Sequence, residues 1–199
     1  MAEKFTETPL LTPSFDHAMQ IALDHHRKQL RKATEIPYVS HLLAVTAIVL
    51  ELGGSEDEAI AALLHDAVED GGGPEMQARI TAEFGAAVGT MVAQNSDTDQ
   101  DDKEDWSERK AKYLAGMPVK STGALRVSLA DKLHNARSIT ADVACEGDAV
   151  WSRFTATRAE TVGHYRALAA AFEKELPRLG TSAKPAVEEL RRLVEGFGA

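Results

Sequence analysis

Four titratable side chains, His65, Asp66, Glu69 and Asp70, close a run that is otherwise apolar, ALLHDAVED at residues 62–70. On a helix of about 3.6 residues per turn, positions four apart share a face, so His65 stands over Glu69 and Asp66 over Asp70. The turns before them, Ala59 to Leu64, carry only apolar side chains. A helix apolar on every side is normally buried, and an ionised carboxylate carried into such a place needs a cation or a hydrogen-bonded network. Two more groups have the right chemistry. His41 sits at the start of an apolar stretch in PYVSHLLAV, and Asp131 interrupts the apolar face of VSLADKLHNAR, residues 127–137, with Asn135 four residues on. Two imidazoles and two carboxylates suit a divalent transition ion such as Mn²⁺, with Zn²⁺, Fe²⁺ or Co²⁺ compatible by ligand type. Ligands drawn from three separate helices leave positions open for water and substrate, as catalytic sites require. The competing reading is a polar cluster that only serves the fold. A His-Asp dipeptide alone arises often by chance; its setting in an apolar helix, with His41 upstream and Asp131 downstream, is what favours a metal.

Helices must hold these residues, and helical signals dominate the chain. Ser14 can cap a helix through residues 15–30, where Phe15, Ala18, Met19, Ala22 and Leu23 line one face. Pro37 is expected to open a second helix through HLLAVTAIVLEL, stopped at Gly53 and Gly54. Ser55 with Glu58 three residues later forms a capping box for a third helix over 56–70, ended by the Gly-Gly-Gly-Pro run at 71–74. Further helical patterns cover 75–83, 84–94, 106–115, 119–137, 149–174 and 183–197. No convincing alternation of β-branched residues marks a strand. The pattern predicts an all-α bundle of about eight to ten helices, with residues 14–199 as one domain behind a flexible arm at 1–13. The segment NSDTDQDDKED is polar and aperiodic, and the acidic stretch Asp97 to Asp105 reads as a mobile loop that could cover the site. Its spacing is wrong for a Ca²⁺ loop, which needs a central Gly and a terminal bidentate Glu.

The bulk properties narrow the classes. The 199 residues, 44% hydrophobic and 27% charged, suit a folded domain with its own core. One cysteine, Cys145, excludes an internal disulfide framework and reads as a plain thiol. The N-terminus lacks the pattern of a signal peptide, and no apolar run nears the ~20 residues that span a bilayer. A cytoplasmic protein without a membrane partner is therefore expected. The net charge of −9 argues against general nucleic-acid binding, but not against a small anionic substrate, because the charges inside a cleft decide the local field.

The order His41, His65-Asp66, Asp131 resembles that of the HD phosphohydrolase superfamily. RKATEIPYVSH, ALLHDAVED and VSLADKLHNAR narrow the resemblance to the hydrolase domains of RelA/SpoT homologues, specifically the stand-alone small alarmone hydrolases, over residues 14–170. One departure is visible: the Arg31-Lys32 pair stands a residue further from His41 than in that family. The resemblance implies removal of the 3′-pyrophosphate from guanosine tetra- or pentaphosphate, with His41, His65, Asp66 and Asp131 as metal ligands. It makes Glu69 a general base and Asp70 its water-orienting partner, where the residues alone leave each equally well a solvated helix end. It places Arg31, Lys32 and Asn135 against the nucleotide; Arg can stack its planar guanidinium on a base. Lys132 and Arg137 could meet phosphates or lie on the surface, and Tyr38 could line the pocket or pack at a helix start. The alternatives are an HD hydrolase of another phosphorylated nucleotide, such as an adenosine alarmone or a nicotinamide dinucleotide phosphate, and a catalytically silent nucleotide-binding module.

The remaining candidates receive structural assignments. Arg27 and Lys28 read as a solvated face. His134 points about a quarter turn away from Asn135, His17, His25, His26 and His164 lack paired ligands, and Trp106, Trp151 and Phe154 read as core or lid packing. Val187, Leu190 and Leu193 on the last helix are expected in the core rather than in a dimer contact, and the chain is expected as a monomer or homodimer.

Overall fold

The apolar segments form eight α-helices in the computed structural model, which describes residues 6–96 and 105–197. In chain order they are α1 (Pro13–His26), α2 (Val39–Glu51), α3 (Glu56–Leu64), α4 (Gly73–Asn95), α5 (Trp106–Gly116), α6 (Thr122–Glu146), α7 (Arg158–Leu179) and α8 (Lys184–Gly196). The all-α expectation holds, and the one β-type pairing among the described residues is an isolated bridge between Leu30 and Pro37. Asp97 to Glu104 of the acidic stretch lie outside the described residues.

Several boundaries differ from the sequence reading for identifiable reasons. Thr12, not Ser14, caps α1: its hydroxyl accepts from the Ser14 N–H, and Pro13 takes the first helical position, where its missing N–H costs nothing. The helix stops at His26 rather than Leu30, because residues 27–38 fold back on themselves. Arg31 N–H donates to Ile36 O at 2.8 Å and Tyr38 N–H to Gln29 O at 2.9 Å. Pro37 is held in that loop opposite Leu30, so α2 begins two residues later. The expected helix over 149–174 is interrupted. A 3₁₀ segment, Gly147–Arg153, precedes α7, whose start is fixed by a reciprocal cap between Thr157 and Glu160.

The third helix matters most for chemistry. Ser55 and Glu58 make the expected capping box, but regular α3 ends at Leu64 rather than Asp70. One more turn follows, with Asp70 N–H donating to Asp66 O at 2.8 Å. Asp70 then leaves helical geometry (φ −82°, ψ 41°) and Gly71 takes φ 101° in a π-type turn, Val68–Gly72. An L side chain at Gly71 would be strained. In α4, Gly85 (φ 88°) breaks the helix where the sequence suggests two segments.

Every residue of α3 from Ala59 to Leu64 is buried. The helix packs among α1, α2, α4 and α6. Leu42, Leu63, Leu64, Leu125, Leu129 and Leu133 are almost wholly hidden, and each such side chain contributes roughly 1.5–3 kcal/mol on burial. α7 and α8 pack together, and α8 also covers α6. Val187 and Leu190 are buried in α8, with Leu193 partly buried beside them, so this stripe belongs to the core. Trp151 is buried against Phe154, and Cys145 is exposed. Among the described residues no helix is long and apolar enough to cross a membrane.

Candidate metal centre and adjoining cavity

Three helices aim four polar side chains at one point inside this apolar frame. Leu42, Val45 and Val49 anchor α2 in the core and leave His41 at its first turn, 2% exposed. The buried α3 delivers His65 and Asp66 immediately after its last regular residue. On α6, Leu125, Leu129 and Leu133 face the core, and Asp131 comes off an adjoining face. His41 Nε2 lies 3.5 Å from Asp66 Oδ2 and 3.3 Å from Asp131 Oδ1. His65 Nε2 lies 3.0 Å from Asp66 Oδ2 and 4.0 Å from Asp131 Oδ1. His41, His65 and Asp66 each offer a ligand atom within 4.8 Å of the others, a spacing that could hold a metal ion.

The donor chemistry fits a divalent cation. His65 Nδ1 donates to Ala62 O at 2.8 Å, which leaves the Nε2 lone pair facing two carboxylates. That Nε2 is buried and makes no hydrogen bond, despite its closeness to Asp66. A lone pair against two anions is unfavourable, so the site needs positive charge. Burial opposes protonation of His65, but Asp66 and Asp131 outweigh it and raise the imidazole to about 9. Burial likewise opposes ionisation of both carboxylates. Asp66 is nevertheless drawn far below its usual range by His65 and His41, and Asp131 by Lys132, His41 and His65. A divalent ion would supply that charge without a proton. Tyr38 adds a further donor, its hydroxyl giving a hydrogen bond to Asp66 Oδ2 at 2.6 Å. Burial and then Asp66 push the Tyr38 phenol far above its ordinary value, so it stays a donor.

A cavity of about 540 Å³ opens beside the four groups. Arg31, Lys32, Glu69, Lys132 and Asn135 line it together with His41, Asp66 and Asp131. Arg31 donates to Asn135 Oδ1 at 3.0 Å, and Asn135 Nδ2 donates to Asp131 Oδ1. The loop cation is thereby tied to a helix that also carries a candidate ligand. Lys132 Nζ lies 2.6 Å from Asp131 Oδ2, and this neighbour raises the ammonium pKa well above normal despite burial. Lys32 is exposed at the rim. Asp70 is placed differently: it does not line the cavity, and Gln29 donates to its Oδ2 at 2.7 Å while its carbonyl meets His25 Nε2 at 3.1 Å. Arg137 points away, paired with Glu189 on α8 at 2.8 Å. Arg27 is exposed and pairs with Asp24; Lys28 is exposed.

Sequence reasoning missed three features of this site. His134 was expected to have no role, yet its Nδ1 lies 2.8 Å from His41 Nδ1. Its position three residues after Asp131 was a usable signal, since such neighbours share a helix face. Burial, then His41 and Arg31, lower His134 to about 4. His26 is buried and stacks on Tyr38 with ring centroids 5.1 Å apart, steadying the phenol that reaches Asp66. Tyr113 on α5 lines the far wall, bonded to the Ser128 hydroxyl with Lys132 above its ring at 5.1 Å. No motif in its local sequence marks it.

Comparison with known proteins places the whole chain. A family model described as HD domain matches residues 18–162. The chain belongs to the HD domain family. Among curated relatives, the mouse protein named guanosine-3′,5′-bis(diphosphate) 3′-pyrophosphohydrolase MESH1 is 37% identical over 125 residues, which are 61% of this chain and 67% of that protein. A Haemophilus influenzae protein named guanosine-3′,5′-bis(diphosphate) 3′-pyrophosphohydrolase is 34% identical over 122 residues, or 60% of this chain. The HD chain spans only 18% of that longer relative. Among solved structures, one described as a metazoan ortholog of SpoT that hydrolyses ppGpp superposes with a TM-score of 0.71 at 26% identity. It covers 97% of this chain and 99% of its own. A protein from Listeria monocytogenes EGD-e gives a TM-score of 0.68 at 30% identity over 80% of this chain and 99% of its own.

Proposed function

We propose that this HD domain is a Mn²⁺-dependent hydrolase that removes the 3′-pyrophosphate of guanosine tetra- or pentaphosphate, yielding GDP or GTP and pyrophosphate. The observation that carries the reading is the convergence of two imidazole nitrogens and two carboxylate oxygens beside a cavity that His41, Asp66 and Asp131 line together with Arg31, Lys32 and Lys132. The printed names of the relatives, and the likeness along almost the whole solved metazoan chain, support the substrate.

His41, His65, Asp66 and Asp131 would hold the ion. A divalent cation there supplies charge neutralisation on the attacked phosphate and lowers the pKa of water. Glu69, which lines the cavity, acts as general base and takes the proton of the attacking water. Asp70, next to Glu69 but outside the cavity lining, is assigned to orient that water, its carboxylate accepting from Gln29 in the loop after α1. The new bond joins water oxygen to phosphorus, the bond from phosphorus to the ribose 3′ oxygen breaks, and that oxygen ends as a hydroxyl. Arg31 packs its guanidinium on the base, with Asn135 fixing its direction. Lys32 and Lys132 offset phosphate charge. Residues 14–199 act as one catalytic domain, a reading supported by the single apolar core from Ala18 to Phe197. A cytoplasmic setting suits a soluble nucleotide substrate and the lone Cys145.

Guanosine tetraphosphate and its adenosine counterpart, offered to the purified protein with Mn²⁺, test the substrate. Release of pyrophosphate and GDP from the guanosine compound at the higher kcat/KM is expected. Preference for the adenosine compound would assign the site to another phosphorylated nucleotide.

A further inference from the structure

The two imidazoles at the centre are held by different means. His65 rests on a backbone carbonyl, its Nδ1 donating to Ala62 O. His41 rests on a side chain from another helix, with its Nδ1 2.8 Å from His134 Nδ1. The rings are tilted by 43° with centroids 4.9 Å apart, so they meet through the nitrogens rather than by stacking.

Two nitrogens at that distance need one proton between them. His41 Nε2 faces Asp66 Oδ2 and Asp131 Oδ1, so a ligand role requires its lone pair there. A neutral imidazole then carries its proton on Nδ1, and His41 is the donor. His134 must accept through Nδ1 and keep its own proton on Nε2. We infer that His134 is a positioning residue for His41: its Nδ1 fixes the tautomer and ring direction that turn His41 Nε2 toward the metal. This rests on the proposed metal role of His41.

The placement on α6 gives this contact a mechanical consequence. Asp131 and His134 sit three residues apart on one rigid helix, so α6 reaches both ends of His41: His134 accepts at Nδ1, and Asp131 Oδ1 lies 3.3 Å from Nε2, where a shared cation would join them. Metal ligands of this kind commonly donate their second nitrogen to a carboxylate, carbonyl or water. An imidazole acceptor does the same work here without adding negative charge to a site that already holds two carboxylates.

The test measures Mn²⁺ affinity by calorimetry in wild type, His134→Phe, His134→Asn and Asp66→Ala, with thermal melting of each metal-free protein. Asn can set its Oδ1 near the place of the lost Nδ1. His134→Phe should bind Mn²⁺ about 10–100-fold more weakly, the usual loss for removal of such a partner. His134→Asn should recover most of that affinity at a similar metal-free melting temperature. Wild-type affinity in His134→Phe, or equal weakness in both variants, overturns the inference while leaving the metal site intact. Absence of Mn²⁺ binding by wild type, with Asp66→Ala indistinguishable from it, overturns the metal reading and this inference with it. Should His134→Phe fail to fold, ring-nitrogen NMR of the wild type decides. A proton on His41 Nδ1 and on His134 Nε2 is expected, and the reverse arrangement contradicts the inference.

Discussion

The metal pole and the cavity mouth lie side by side yet are built in opposite ways. At the pole, His41, His65 and Asp131 are 2–8% exposed and are carried by helices α2, α3 and α6, whose inner faces form the core. Their positions follow from helix packing, and a change there has nowhere to relax. At the mouth, Arg31, Lys32 and Glu69 come from a loop and a helix end, and they are held by side-chain contacts or open to solvent. The pole should therefore govern whether an ion is bound, and the mouth how well a substrate is bound and turned over. Asn135 bridges the two, donating to Asp131 while accepting from Arg31.

The comparison breaks most readily at Asp66. Asp66→Ala should lose bound metal and reduce turnover by more than the roughly 100-fold that loss of an outer hydrogen-bond partner costs. Circular dichroism should stay essentially helical, since the apolar faces are untouched; collapse of the fold would make the cluster structural. Glu69→Gln should retain metal, measured by elemental analysis, and lose about 10²–10⁴-fold in kcat. Normal turnover in that variant removes the assigned role and with it the division between pole and mouth. Arg31→Ala should raise KM about 10-fold, in line with the ~1.5–3 kcal/mol of a hydrogen bond to a charged group, and leave metal content unchanged. Combined with Asn135→Ala it should cost less than the sum of the two, because the residues share one contact.

The smallest effect belongs to a third place, the Arg137–Glu189 pair between α6 and α8. Arg137 holds the Glu189 carboxyl below the ordinary glutamate value of 4.5. A depressed acid stabilises the fold above its unfolded-state pKa, and that contribution fades as pH falls through the folded value. With side chains 43% and 26% exposed, the pair is largely screened, and Glu189→Gln should cost less than about 1 kcal/mol at pH 7. The difference in melting temperature from wild type should shrink below pH 4.5, with no change in KM or metal affinity at neutral pH.

The same contrast explains what the sequence revealed. His65 and Asp66 were legible because carboxylate and imidazole at the end of a wholly apolar helix have no other easy explanation. Asp131 was legible for the same reason on a second helix. The all-α bundle followed from apolar periodicity and from caps such as Ser55 with Glu58, though 75–83 and 84–94 are one broken helix, α4. Tyr113 was invisible, since its approach to Ser128 and Lys132 depends on how α5 lies against α6. His134 carried a signal, its spacing from Asp131, but the partner lies 93 residues away on α2. Asp70 illustrates the opposite failure. Periodicity put it on the face of Asp66, yet the π-type turn before Gly73 sends its side chain to Gln29, and local backbone geometry of that kind is not written in a hydrophobic pattern.

The most direct test of the account is a back-titration of Mn²⁺ into chelator-treated protein, with bound metal and pyrophosphate release from guanosine tetraphosphate read on the same samples. Both should rise together from near zero and level off at one ion per chain. Turnover that persists without metal, or a filled site with no pyrophosphate released, would contradict it.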